Sequence, residues 1–124
     1  ARLPAAEGIA AMQAINIVVI NPLFLGAFMG TALVSVGIVV LLLTGSTHAA
    51  PLLFHCGAVV YFGGTFLVTI FANVPLNERL AEVSVSDPEA IQLWAHYLDR
   101  WTMWNHVRTV AGIGAALLFT LGLR

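Results

Sequence analysis

Asn105, His106 and Arg108 lie within four residues of one another, at the start of an otherwise apolar run. An imidazole changes charge near neutral pH and is the usual side chain for moving a proton. An amide and a guanidinium are donors suited to an oxygen that gains negative charge. Ionisable groups in an apolar span are costly, which makes His106 and Arg108 functional candidates. The structural alternative is that Arg108 snorkels to a membrane surface while His106 bonds a neighbouring helix. At about 100° per residue, Trp94, Tyr97, Trp101, Asn105, Arg108 and Gly112 share one helix face, with Trp104 at its border. His106 projects 100° or more away. One pocket would hold both His106 and Arg108 only by wrapping the helix or lying at a junction of several.

Asparagines give the second signal. Asn16 and Asn21 close the first segment, Asn73 and Asn77 follow the second apolar run, and Asn105 begins the third. Neutral amides around an apolar cavity suit an uncharged polar ligand. Asn21, Asn73, Asn77, Trp101 and Trp104 are therefore the candidate substrate-binding residues, beside catalytic candidates His106, Asn105 and Arg108. The competing readings are helix-end punctuation for Asn21-Pro22 and Asn73-Val74-Pro75, and an interfacial aromatic belt for the tryptophans. No metal site is expected. His48 and His55 belong to one end of the predicted bundle and His96 and His106 to the other, and no HExxH or ExxH pair occurs. Cys56, the single cysteine, lies at the end opposite His106 and reads as a small core residue. No cofactor motif is present, although a metal is not excluded.

These residues need elements to position them, and composition names the elements. The 124 residues are 60% hydrophobic and 9% charged, with a mean hydropathy of +0.94. Soluble domains carry about 25% charged residues, and a small chain in water needs more polar surface, not less. The fold expected is all-α: an integral membrane helical bundle forming one domain over 1–124. There is no Lys and the net charge is −1, which argues against a nucleic-acid partner. Pro22–Leu43 is free of charge and would reach roughly 33 Å, enough to cross a bilayer core. Further spans are expected at 52–72 and at about 101–123. Transmembrane strands would be half as long and would alternate in polarity. Residues 1–21 read as an interfacial segment, with apolar Ile9, Met12 and Ile15 at helical spacing. Residues 73–100 read as a cap loop followed by an amphipathic helix starting near Ser86-Asp87-Pro88. Three spans put 1–21 and 73–100 on one membrane side. Gly26 and Gly30, Gly57, Gly63-Gly64, and Ala111 and Ala115 have the spacing of close helix contacts.

The run from Trp94 to Thr109 (WAHYLDRWTMWNHVRT), NVPLNERL at 73–80 and NPLF at 21–24 resemble the anthrone oxygenase-like family of small membrane proteins, over nearly the whole chain. The resemblance implies four transmembrane helices, the first ending before a segment like ARLPAAEGI, so one further span is expected ahead of Ala1. It also implies oxidation of anthrones to anthraquinones with O2 as co-substrate, and, from the bacterial members, a plasma (inner) membrane location. In that chemistry His106 would remove the acidic ring C–H, Asn105, Asn73 or Arg108 would stabilise the oxyanion, and Trp101 and Trp104 would stack on a polycyclic ring. The leading function is a membrane oxygenase acting on an aromatic, lipid-soluble substrate. The alternatives are a non-catalytic small subunit of a larger membrane complex and a hydrophobic-ligand binding protein. Partners expected are the lipid bilayer, a small aromatic substrate and a homo-oligomer or larger complex.

Overall fold

The structure, a computed structural model, describes residues 3–45 and 52–123. Among the described residues there are four helical rods and no strand. Helix α1 is Ala5–Val19 and α2 is Pro22–Leu43. Helix α3 runs Leu52–Ala81, with π-helical stretches at Tyr61–Leu67 and Thr69–Asn73. Helix α4 is Ala90–Gly122.

Local chemistry explains the ends of α2. Asn21 Oδ1 accepts the Phe24 N–H at 2.9 Å, and Pro22 follows it at a position whose N–H has no intrahelical partner. Just past its end Gly45 takes φ +65°, the left-handed turn that favours glycine after a helix. Helix α3 corrects the expected boundaries. The span expected at 52–72 continues to Ala81, so NVPLNERL is helical where a loop was expected. Pro75 read as a breaker because a proline lacks an N–H and crowds the carbonyl four residues back. Here it follows directly on the widened π turn Thr69–Asn73, where the hydrogen-bond ladder already departs from the α pattern. The connecting loop shrinks to 82–89, closed by Asp87 Oδ2 accepting from the Ser84 N–H.

Helices α3 and α4 pack antiparallel along their length. The Phe54 and Phe119 rings meet tilted (centroids 5.9 Å apart), the Thr65 hydroxyl donates to the Arg108 carbonyl, and Asn73 Nδ2 donates to the Trp101 carbonyl. A Cβ on Gly64 would sit 2.5 Å from Ala111 Cβ, and one on Gly57 would sit 3.0 Å from the Phe119 ring. Small residues therefore set this spacing, as expected. Helix α2 joins through Tyr61, whose hydroxyl donates to the Phe28 carbonyl, and through Phe28 against Phe66. Gly26, Gly30 and Gly63 face open space. An open face lies along α2: a groove of about 500 Å³ runs past Gly26, Gly30, Val34 and Ile38 to Phe54 and Phe119.

Burial is inverted relative to a protein built for water. Ala32, Ser35, Ala58 and Ala115 are buried between the helices, while Leu23, Leu33, Leu43 and Val110 point outward. Pro22–Leu43 and Leu52–Ala81 are long and apolar enough to cross a membrane. The third expected span lies in α4, which carries Asp99, Arg100, Asn105, His106 and Arg108 in its first two-thirds, and α4 is not among the helices long and apolar enough to cross.

Candidate functional site at the junction of three helices

The large buried side chains gather at one end, where α1 lies across the end of α3 and the start of α4. Gly8 makes this approach feasible, since a Cβ there would meet the Trp94 ring at 2.5 Å. The next residue, Ile9, is buried with Leu80, Ala90 and Tyr97. Gln13 Nε2 donates to the carbonyls of Leu80 (2.8 Å) and Val83 (3.0 Å), just where α3 ends. These contacts fix α1 and bring its next inward residue, Asn16, to the junction.

On α4, Trp94, Tyr97 and Trp101 form a ladder of near-parallel rings, with centroids 5.6 and 6.0 Å apart. The buried Tyr97 hydroxyl donates to Asn77 Oδ1 at 2.9 Å. Burial pushes the Tyr97 phenol up to about 12, against the opposing effect of the Asn16 amide beside it. Asn73, one turn before Asn77, is 3% exposed and donates through Nδ2 to the Trp101 carbonyl at 3.3 Å. That bond also orients the amide, because a flipped Asn73 would set two oxygens against each other. At the junction two buried polar atoms, Asn73 Oδ1 and Trp101 Nε1, meet no hydrogen-bond partner, while the Asn16 amide, off ideal geometry, has only the Tyr97 hydroxyl beside it. Each such atom costs about 1–3 kcal/mol and calls for an explanation. The charged and imidazole side chains near the junction, Glu78, Arg79, His96, Asp99 and Arg100, are exposed on the outer faces, so its interior is neutral.

The predicted site residues divide accordingly. Asn73, Asn77 and Trp101 come together here. Asn105 and Arg108 form a second pair one turn further along, with Arg108 Nε donating to Asn105 Oδ1 at 2.8 Å. Trp104 is half-buried beside them, while His106 is exposed, about 140° round α4 from Trp101 at 100° per residue. Asn21 lies outside the junction; its amide caps α2, with Oδ1 taking the Phe24 N–H and Nδ2 donating to the Val18 and Val19 carbonyls. His55 is buried toward the opposite end with Nε2 unpartnered, and His48 falls outside the described residues. Among the described residues no three His, Cys, Asp or Glu side chains stand close enough to hold a metal. Asn16, Gln13 and Tyr97 were not among the predicted site residues. Their signal was spacing: Ile9, Gln13 and Asn16 fall on one face of α1, and Tyr97 stands on the aromatic stripe.

A family model described as anthrone oxygenase matches residues 19–118, which takes in α2, α3 and most of α4. No curated protein and no solved structure matches the chain.

Proposed function

We propose, from the premise that this chain belongs to the anthrone oxygenase family, that it is a membrane oxygenase acting on an aromatic, lipid-soluble substrate of the anthrone type. The observation that carries this reading is the junction itself: a neutral, aromatic-walled place with buried polar atoms left unpaired. In this reading the protein is a three-span bundle in a bacterial plasma membrane, entered by its substrate from the lipid. Asn73 and Trp101 hold the oxygenated edge of the substrate, and Trp104 lies against its rings. Asn77 acts through Tyr97, fixing that hydroxyl by accepting its proton, and Asn21 stands at the same membrane end as the cap of α2. The Arg108–Asn105 pair faces the charge that develops on the substrate oxygen.

The reaction needs no cofactor to balance. An anthrone loses its ring C–H as a proton, and the resulting electron-rich ring passes one electron to O2. The two radicals combine at the ring carbon as a hydroperoxide, which loses water to give the second carbonyl. We assign the proton acceptance to His106; since it is exposed and about 140° round α4 from Trp101, this assignment requires the substrate to extend round α4 from the Trp101 side.

Purified protein supplied with an anthrone and O2, with and without chelator, should consume oxygen and form the quinone. His106→Ala should lower turnover about 100-fold or more with the fold intact. Unchanged turnover in that variant removes the base assignment, and loss with chelator assigns a metal. The subunit alternative draws on the open groove beside Gly26 and Gly30. Absence of turnover over several anthrones would leave it ahead, and binding without turnover would favour a carrier.

A further inference from the structure

We infer that the π-helical turns of α3 are the positioning element of the junction: they set the rotation of its second half, so that Asn73 and Asn77 face α4 in place of Phe71 and Glu78. The placement is independent of any reaction; its bearing on turnover rests on the function proposed above.

At about 100° per residue, side chains seven apart on an α-helix return to one face. Gly57 and Gly64 are seven apart, and both meet α4, at Phe119 and at Ala111. Asn73 and Leu80 are also seven apart; Asn73 donates to the Trp101 carbonyl, and Leu80 is buried with Tyr97. Between them Asn77 accepts from the Tyr97 hydroxyl. Each half of α3 therefore keeps the α-helical period by itself. The halves do not keep it with each other, because Gly64 and Asn73 are nine apart. On an unbroken α-helix nine residues turn through about 900° and leave Asn73 half a turn from Gly64. Phe71, Pro75 and Glu78 would then continue the face of Gly57 and Gly64. All three are exposed, Phe71 by 74%. Nine residues complete two turns only at about 4.5 per turn, close to the roughly 4.4 of a π-helix with its i→i+5 bonds. The wide stretches Tyr61–Leu67 and Thr69–Asn73 cover this interval, and the Val74 N–H reaches back five residues to the Thr69 carbonyl.

Anchors at both ends of the interval hold the turns wide. Gly64 is seated on Ala111 and the Thr65 hydroxyl bonds the Arg108 carbonyl, while Asn73 bonds the Trp101 carbonyl. Closing the turns to α would rotate one set of anchors away from α4. Pro75 works in the same direction, since it has no N–H for the Phe71 carbonyl, the acceptor that an α turn would give it. With plain α turns, Phe71 and Glu78 would face Trp101 and Tyr97, and a carboxylate would enter an interior that is now neutral. The wide turns thus decide that this end of the bundle is lined by amides.

The test changes the number of residues in the interval and reads the phase by cysteine cross-linking, in the full chain in membranes with Cys56→Ser as background. One reporter pair is Asn77→Cys with Tyr97→Cys, side chains that bond at 2.9 Å; the other is Glu78→Cys with Tyr97→Cys. Under mild oxidation the first pair should cross-link and the second should not. Deleting Leu67 and Phe71 leaves seven residues between the anchors, the number that two α turns hold, so the first pair should still cross-link. Inserting one alanine after Leu67 makes ten, which two turns of either kind cannot hold, and should abolish that cross-link. A uniform α-helix would lose it in both variants. Cross-linking of the second pair in place of the first overturns the inference, as does loss of the first in a folded deletion protein. Should the double deletion fail to fold, the undeleted pairs and the deletion of Phe71 alone, which leaves one wide turn and one α turn, still decide. With Asn77 and Tyr97 restored, the deletion protein should keep anthrone turnover and the insertion protein should lose it. Turnover lost in a deletion protein that keeps the cross-link would overturn the positioning role. Cross-links as expected, without turnover by wild type, would uphold the phase and remove the oxygenase reading.

Discussion

At the scale of single residues, Tyr97 gives the sharpest expectation. Its hydroxyl is buried, bonded to Asn77, and raised from 10.0 to about 12. The folded protein thus holds the phenolic proton more tightly than the unfolded chain. That contribution to stability is complete below pH 10 and is lost as pH climbs toward 12. Thermal midpoints in detergent should fall over that window in wild type and fall less in Tyr97→Phe. The substitution itself leaves Asn77 Oδ1 without its donor and should cost about 1–3 kcal/mol at neutral pH. Equal alkaline slopes in the two proteins would show that Tyr97 is not the titrating group. Arg108 differs in kind, since it donates to Asn105 through Nε and its remaining guanidinium N–H groups are the ones that the proposed role would turn to a substrate oxygen. Arg108→Ala should raise KM for the substrate as well as slow turnover, measured by steady-state oxygen uptake.

Elements are where small residues decide the outcome. Gly64 and Gly30 look alike in sequence, both within apolar runs and near a second glycine. Only Gly64 faces a neighbour, Ala111. Gly64→Leu should therefore force α3 from α4 and destabilise by about 1–3 kcal/mol or more, whereas Gly30→Leu should leave the monomer's melting midpoint nearly unchanged. A comparable drop for both would mean the groove beside Gly30 is closed in the working protein. Sequence made the existence of these helices plain, because a charge-free stretch such as Pro22–Leu43 admits few other structures. It also put Trp94, Tyr97, Trp101, Asn105 and Arg108 on one face and His106 on another, which the burial pattern follows. What it hid was tertiary. Pro75 signals a stop that the preceding π turn relieves. Asn16 gains meaning only when Gly8 lets α1 settle against Trp94 and Gln13 ties it to the end of α3.

For the whole molecule, the decisive question is how α4 stands relative to the membrane, and the contact ladder between α3 and α4 carries the answer. Helix α3 is long and apolar enough to cross. From Phe54–Phe119 and Gly57–Phe119 through Gly64–Ala111 and Thr65–Arg108 to Asn73–Trp101 and Asn77–Tyr97, α4 follows it antiparallel over nearly its full length. If α3 crosses, α4 must share the same slab of lipid, and its polar residues Asn105 and Arg108 are then tolerable because they bond each other on the inner side. Three crossings place Leu3 and Ser86 on one side and Gly45 and Leu123 on the other. Replacing Cys56, the only cysteine, gives a background for single-cysteine variants at these four positions. In intact vesicles, a membrane-impermeant maleimide should label Leu3→Cys and Ser86→Cys as one class and Gly45→Cys and Leu123→Cys as the other, with the protected class labelled only after permeabilisation. If Leu123→Cys labels with Ser86→Cys, α4 lies along the membrane surface. The junction of Asn16, Asn73 and Trp101 would then have to be rebuilt around a helix that has left α3. If all four label from one side, α3 does not cross and the outward leucines of α2 and α3 must be covered by another protein.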